Sequence, residues 1–235
     1  MQARPSPVLR FSPTAWAKLL FFRDHKGTEV GGFGVTSAND LLRVDDFLTV
    51  KQEVTVASVV FDDQAVADFF ETQVDAGGKP EQFARIWLHT HPGNSPQPSS
   101  TDEETFGRVF GGCQWAVMFV LAQGGKSYAR LRFNVGPGGH VVIPAEVDFG
   151  APFGPSQREA WEAEYKANVS AEHWGLGWNS REDLLGQTDL ARCSVPGDWL
   201  EELEAMEPAE RRLVMDELAV RPDLWDETAE VVYDD

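Results

Sequence analysis

Two histidines one residue apart, His89 and His91 in Ile86-Trp87-Leu88-His89-Thr90-His91-Pro92, are the residues of this 235-residue chain that point most directly to chemistry. On a strand the two-residue period sends alternate side chains to one face, so both imidazoles can address one metal ion, with Trp87 beside them and Leu88 and Thr90 opposite. A catalytic site needs a third donor, and neutral imidazole plus carboxylate suits zinc with one coordination position left for water. Asp102, expected in the first turn of the helix after the loop at 92–100, can supply it. Ser99 stands three residues earlier, so its hydroxyl can lie beside the open position. A carboxylate that is not a ligand must then take the proton from the water.

The elements that must position these residues follow from pattern. Ser12-Pro13-Thr14 opens a helix, serine as N-cap and proline in the first turn, and His25-Lys26-Gly27 closes it. Glycine-rich but β-coloured residues 28–35 lead through a turn at Asn39-Asp40 to a strand region over 41–60. Asp62-Asp63 start a helix whose apolar face is Val66, Phe69, Phe70 and Val74, ending at Gly77-Gly78. Residues 83–91 read as the strand carrying the histidines. Ser100 with Glu103, or Thr101 with Glu104, forms a capping-box pattern, so a helix should start near Asp102 and end by Gly111-Gly112. The apolar run 115–121 is a strand buried on both faces, and Gly124-Gly125 and Gly138-Gly139 turn the chain into antiparallel strands over 128–133 and 140–147. This order predicts an α/β fold in which helices cover a mostly antiparallel sheet. After Pro152-Phe153-Gly154-Pro155 the pattern turns helical, over 161–169, 198–206 and 208–220, with an irregular piece at 174–178. The chain therefore divides into a domain over 1–150 and a mainly helical extension over 151–235.

Charge separates the same two parts. Residues 1–150 carry 13 Lys and Arg against 17 Asp and Glu, while residues 151–235 carry 7 against 21. Nucleic acid is excluded as a partner, because a phosphate backbone needs a basic face. The acidic extension is a solvated surface or a lure for a basic partner. Cys113 and Cys193 form no CxxC pair, residues 1–10 hold no apolar signal-like core, and no apolar run reaches membrane-span length, so a cytoplasmic protein without a membrane partner is expected. Cys113 is expected to pack rather than react, His25 to complement a helix dipole, and His140 and His173 have no visible companions. The His-Glu-x-x-His zincin pattern and the His-x-Glu with Pro-Cys-x-x-Cys deaminase pattern are both absent, and the chain is too short and histidine-poor for an amidohydrolase barrel.

His89-Thr90-His91, seven residues over 92–98, then Ser99-Ser100-Thr101-Asp102, with Glu29 upstream in a Glu-x-Gly-Gly context, resembles the JAMM signature of the MPN-domain metalloproteases across residues 8–150. The resemblance implies an MPN, cytidine-deaminase-like sandwich of a mixed, mostly antiparallel sheet with flanking helices. It implies one catalytic zinc on His89, His91 and Asp102, with water in the fourth position. Glu29 would be the general acid/base and Ser99 the donor that stabilises the tetrahedral oxyanion. The family hydrolyses isopeptide or peptide bonds after the C-terminal tail of ubiquitin or ubiquitin-like proteins, so such a protein or its conjugates is the implied substrate, with conjugation-pathway enzymes as further partners. The absence of a long insertion around residues 76–82 resembles the stand-alone prokaryotic branch. The alternative is an MPN-fold binding or scaffold module, with the acidic extension recruiting the partner or covering the cleft.

Overall fold

A computed structural model describes residues 6–55 and 58–171. The chain opens on a strand too short to show a pattern, β1 (Leu9–Phe11), whose two inward side chains Leu9 and Phe11 are fully buried. Helix α1 (Pro13–His25) starts as its sequence predicts: Ser12 is extended and its hydroxyl accepts from the Ala15 N–H at 3.1 Å. Gly27 leaves the helix at φ 71°, a conformation natural to glycine. Strands β2 (Val30–Ser37) and β3 (Asp40–Leu48) form the following hairpin. The single strand region predicted over 41–60 is three strands, β3, β4 (Gln52–Val54) and β5 (Val59–Phe61). Helix α2 (Asp63–Asp75) is capped by Asp62, which accepts from the Ala65 N–H at 2.7 Å. Val66, Phe69 and Phe70 pack inward, but Val74 is 52% exposed, because the apolar stripe outruns the surface it covers.

One helical turn, α3 (Pro80–Phe83), precedes β6 (Ile86–Thr90), which is followed by α4 (Ser100–Phe110), β7 (Trp115–Leu121) and β8 (Ser127–Phe133). The strand predicted over 140–147 is broken at Ile143-Pro144 into β9 (Gly139–Val142) and β10 (Ala145–Val147). Proline cannot donate to a ladder, and after it the chain leaves β8 to pair parallel with β1. Helix α5 (Arg158–Asn168) and β11 (Val169–Ala171) complete the described chain.

The main sheet is mixed, in the order β10-β1-β3-β2-β6-β7-β8-β9, with parallel pairs at β10–β1, β1–β3 and β6–β7 and the other four antiparallel. It is curled: Ile143 donates to the Ala129 carbonyl of β8 at 3.0 Å, while the Pro144 carbonyl accepts from Leu9 of β1 at 2.9 Å. Both faces are covered, which is why β7 reads as an unbroken apolar run. Val117, Phe119 and Leu121 face the cluster beneath α1 and α5, whereas Ala116, Met118 and Val120 face Phe33, Trp87, Phe106 and Phe110 beneath α2 and α4. A second sheet has the order β11-β4-β5. Helix α5, predicted over 161–169, lies on α1 through Phe21–Trp161 and Phe22–Tyr165 ring contacts at 5.8 and 6.1 Å. The features expected at 174–178, 198–206 and 208–220, with His173 and Cys193, lie outside the described residues. Among the described residues no helix is long and apolar enough to cross a membrane.

Candidate metal centre

The strand predicted over 83–91 is β6, Ile86–Thr90, with β2 antiparallel on one side and β7 parallel on the other. His89 lies on it, and His91 follows its last residue, its N–H donating to the Leu121 carbonyl of β7 at 2.9 Å. Apolar neighbours on both faces make this a rigid platform. Trp87, His89 and His91 share a face as the period predicts, their rings in succession at 4.5 and 5.1 Å. Thr90, fully buried on the opposite face, accepts from the Val30 N–H at 3.1 Å and so ties β6 to the start of β2. Glu29, immediately before β2, is buried at 5% exposure, and its N–H donates to the Thr55 carbonyl at 2.8 Å.

Helix α4 begins differently from its sequence pattern. Its N-cap is Ser99 and the capping box is closed by Asp102, not by Glu103 or Glu104. The Ser99 hydroxyl accepts from the Asp102 N–H at 3.2 Å, and Asp102 Oδ2 accepts from the Ser99 N–H at 2.8 Å and from its hydroxyl at 3.0 Å. The two residues singled out for chemistry thus anchor one another. The fit is local, since a shorter acidic side chain three residues on reaches back as well as a glutamate.

His89, His91 and Asp102 bring one donor atom each within 4.8 Å of one another. His89 Nε2 lies 3.3 Å from Asp102 Oδ1, and His91 Nε2 lies 3.5 Å from Asp102 Oδ2 and 3.5 Å from Glu29 Oε1. His89 is fully buried and the His91 side chain is 12% exposed, so the centre opens to the surface beside His91. His91 Nδ1 lies 2.9 Å from the Ser95 carbonyl. That oxygen only accepts, so Nδ1 carries the hydrogen and in the neutral ring Nε2 turns a lone pair toward His89 and Asp102. Among the described residues, neither His89 nitrogen nor His91 Nε2 has a well-formed hydrogen bond, the nearest acceptors being the carboxylates at 3.3–3.5 Å. A buried polar atom left in that condition costs about 1–3 kcal/mol, a cost that a cation accepting the lone pairs would remove. The residues therefore fit a metal ion, and this buried group could bind one.

Electrostatics divide the three donors. Burial pushes the His89 pKa down, against the opposing charge of Asp102. Burial also opposes a charge on His91, but the Glu29 carboxylate, Asp102 and the Ser95 carbonyl outweigh it and raise the group to about 9. Burial would raise Asp102; His89 and His91 beside it outweigh that and hold its carboxyl well below the usual range.

Cys113 packs beneath α4, as expected, and accepts a hydrogen bond from Arg85. His25 ends α1 in its last turn, as expected, and also lies against Phe21 and Tyr165 at 4.9 and 4.4 Å, where burial followed by the Lys26 charge lowers its pKa. His140 is exposed on β9. Gln52, Thr90 and the Ser95 carbonyl, which hold the centre together, had no signal in the sequence: each acts through hydrogen bonds that involve backbone groups, which a motif does not record. Set against models of known protein families and against curated proteins, the chain matches none.

Proposed function

We propose that the chain is a zinc-dependent peptidase of the JAMM type on an MPN sandwich, hydrolysing the bond after the C-terminal tail of a ubiquitin-like protein. The observation that carries this reading is the meeting of Glu29, His89, His91 and Asp102 from three separate elements in one buried cluster, in the order and spacing of that signature. The curled mixed sheet with helices on both faces supports the fold assignment, and the substrate class rests on the resemblance alone.

Zinc held by His89 Nε2, His91 Nε2 and Asp102 would supply a Lewis acid and a water of lowered pKa. Glu29 has its Oε1 3.5 Å from His91 Nε2 and is left outside the ligand group, so its carboxylate takes the proton from attacking water and returns it to the leaving amine. Asp102 presents Oδ1 to His89 because two Ser99 donors engage Oδ2. The Ser99 N–H alone can keep that hold, which frees the hydroxyl proton for the oxyanion of a tetrahedral adduct.

Cleavage of a linear ubiquitin-like fusion and of an isopeptide conjugate tests the proposal, with metal content read by mass spectrometry. Wild type should carry one zinc and turn over; Glu29→Ala should keep zinc and lose activity about a hundredfold or more; His89→Ala should lose both. Equal turnover by all three would refute it. Binding of the fusion without cleavage by zinc-loaded wild type would favour the scaffold alternative.

A further inference from the structure

Gln52 is a buried glutamine, 3% exposed, whose hydrogen bonds all go to backbone. Its Oε1 accepts from the Gly31 N–H at 2.8 Å, and its Nε2 donates to the carbonyls of Gly31 at 2.8 Å and Val50 at 2.9 Å. The amide takes both polar groups of Gly31, as a neighbouring strand residue would. It does so where a strand is missing. The β2–β3 ladder reaches only to Phe33↔Leu48, so residues 30–32 of β2 have β6 on one side and no β3 partner on the other.

Gly31 stands two residues after Glu29 and directly opposite His89 in the β2–β6 register. A Cβ there would lie 2.9 Å from both Phe61 and Val59, so glycine is what lets the β4–β5 hairpin lie against the strand. Residues 29–31 are held from the β4 side by Thr55 and Gln52 and from the β6 side by Thr90. Strand β4 is itself backed by β11, with Val169 opposite Gln52. A misplacement of about 1 Å in a reacting group can cost on the order of a hundredfold in rate.

We propose that Gln52 is a positioning residue: its two-bond clamp on Gly31 sets the Glu29 carboxylate against His91. The inference rests on the hydrolase reading, in which Glu29 moves the proton. The test is a double-mutant cycle on the full, zinc-loaded chain with Gln52→Met, which keeps length and removes the amide. Turnover of a ubiquitin-like fusion should fall about ten- to a hundredfold in kcat, with KM within twofold and zinc content unchanged. In a Glu29→Ala background the same substitution should not lower the residual rate further. Wild-type kcat in the variant, a loss of equal size in both backgrounds, or a loss that follows zinc content would each overturn the proposal. If Gln52→Met does not fold, Gln52→Glu, which keeps an acceptor for the Gly31 N–H, enters the same cycle. Amide hydrogen exchange at Gly31 is read alongside and should quicken at least tenfold in the variant. Failure of wild type to cleave fusion or conjugate would sink the hydrolase reading and with it the effect of Gln52 on rate, leaving only the hold on Gly31 to be judged. The clamp then stands on faster exchange at Gly31 and falls on unchanged exchange.

Discussion

Zinc added to the metal-free chain at pH 7 should expel about one proton, and that proton should come from His91. The group is raised to about 9, because Glu29, Asp102 and the Ser95 carbonyl outweigh its burial. His89 is pushed down by burial and Asp102 is held as a carboxylate, so neither brings a proton to be displaced. A ligand nitrogen must give up its proton before it can bind metal. With a pKa of about 9, the ready form of His91 at pH 7 is on the order of one per cent, a handicap of roughly 3 kcal/mol on zinc affinity. The association constant should therefore rise about tenfold per pH unit between about 6.5 and 9 and level off above that range. The sign for folding is opposite. Because the folded pKa exceeds the unfolded one, the metal-free chain has this stabilisation in full below pH 6.5 and loses it as pH rises through about 9, a change of up to roughly 3 kcal/mol. Isothermal titration calorimetry in buffers of different ionisation enthalpy counts the proton, and chemical denaturation across pH reads the stability. Glu29→Gln removes the charge facing His91, so it should raise zinc affinity at pH 7 and flatten its pH dependence. A proton count near zero, or an affinity indifferent to pH from 6.5 to 8.5, would show that His91 carries no proton for zinc to displace.

Ser99→Ala removes an N-cap and one of the two donors on Asp102 Oδ2, so thermal melting should show a loss of about 1 kcal/mol and zinc titration a weaker site, with Ser99→Thr retaining most of both. Glycines separate by what surrounds them. Gly32→Ala would drive its Cβ into the Leu48 carbonyl and to 2.6 Å from the Phe47 ring, and should cost about 1–3 kcal/mol in denaturant unfolding. Gly107→Ala on exposed α4 meets nothing within 4 Å and should instead stabilise by about 0.5–1 kcal/mol. Lys18 is buried at 4% side-chain exposure, between Glu164 of α5 at 2.7 Å and Asp46 at 3.3 Å. Lys18→Ala removes the ammonium between them while Glu164 keeps its two Thr49 donors and Asp46 stays half exposed, so it should cost about 1–2 kcal/mol, measured by the same unfolding; a change under 0.5 kcal/mol would mean that the pair does not join α1 to α5.

The candidate site was legible because its parts are local. The period of β6 places His89 with His91, and the three-residue step of a helix start brings Ser99 to Asp102, although the pattern pointed to Glu103 or Glu104 as the closing residue. Helix α1 was equally legible, since its cap, proline and terminal glycine lie within the helix and its flanks. Less legible was everything that depends on a distant strand. Three-residue β1 has no period to detect, and Pro144 ends one pairing without saying where the next begins. Val74 belongs to an apolar stripe but not to the buried surface, because the extent of cover is a property of the neighbour.

By itself the sequence determined the donor types, their order and the elements that carry them, because capping, alternation and turns act between residues a few positions apart. Tertiary structure decided that Glu29 reaches His91, that Gln52 stands in for a missing strand beside Gly31, and that β11 backs β4. Those contacts are set by strand order and sheet curl, which minimise exposed apolar surface over the whole fold and leave no mark at any single position.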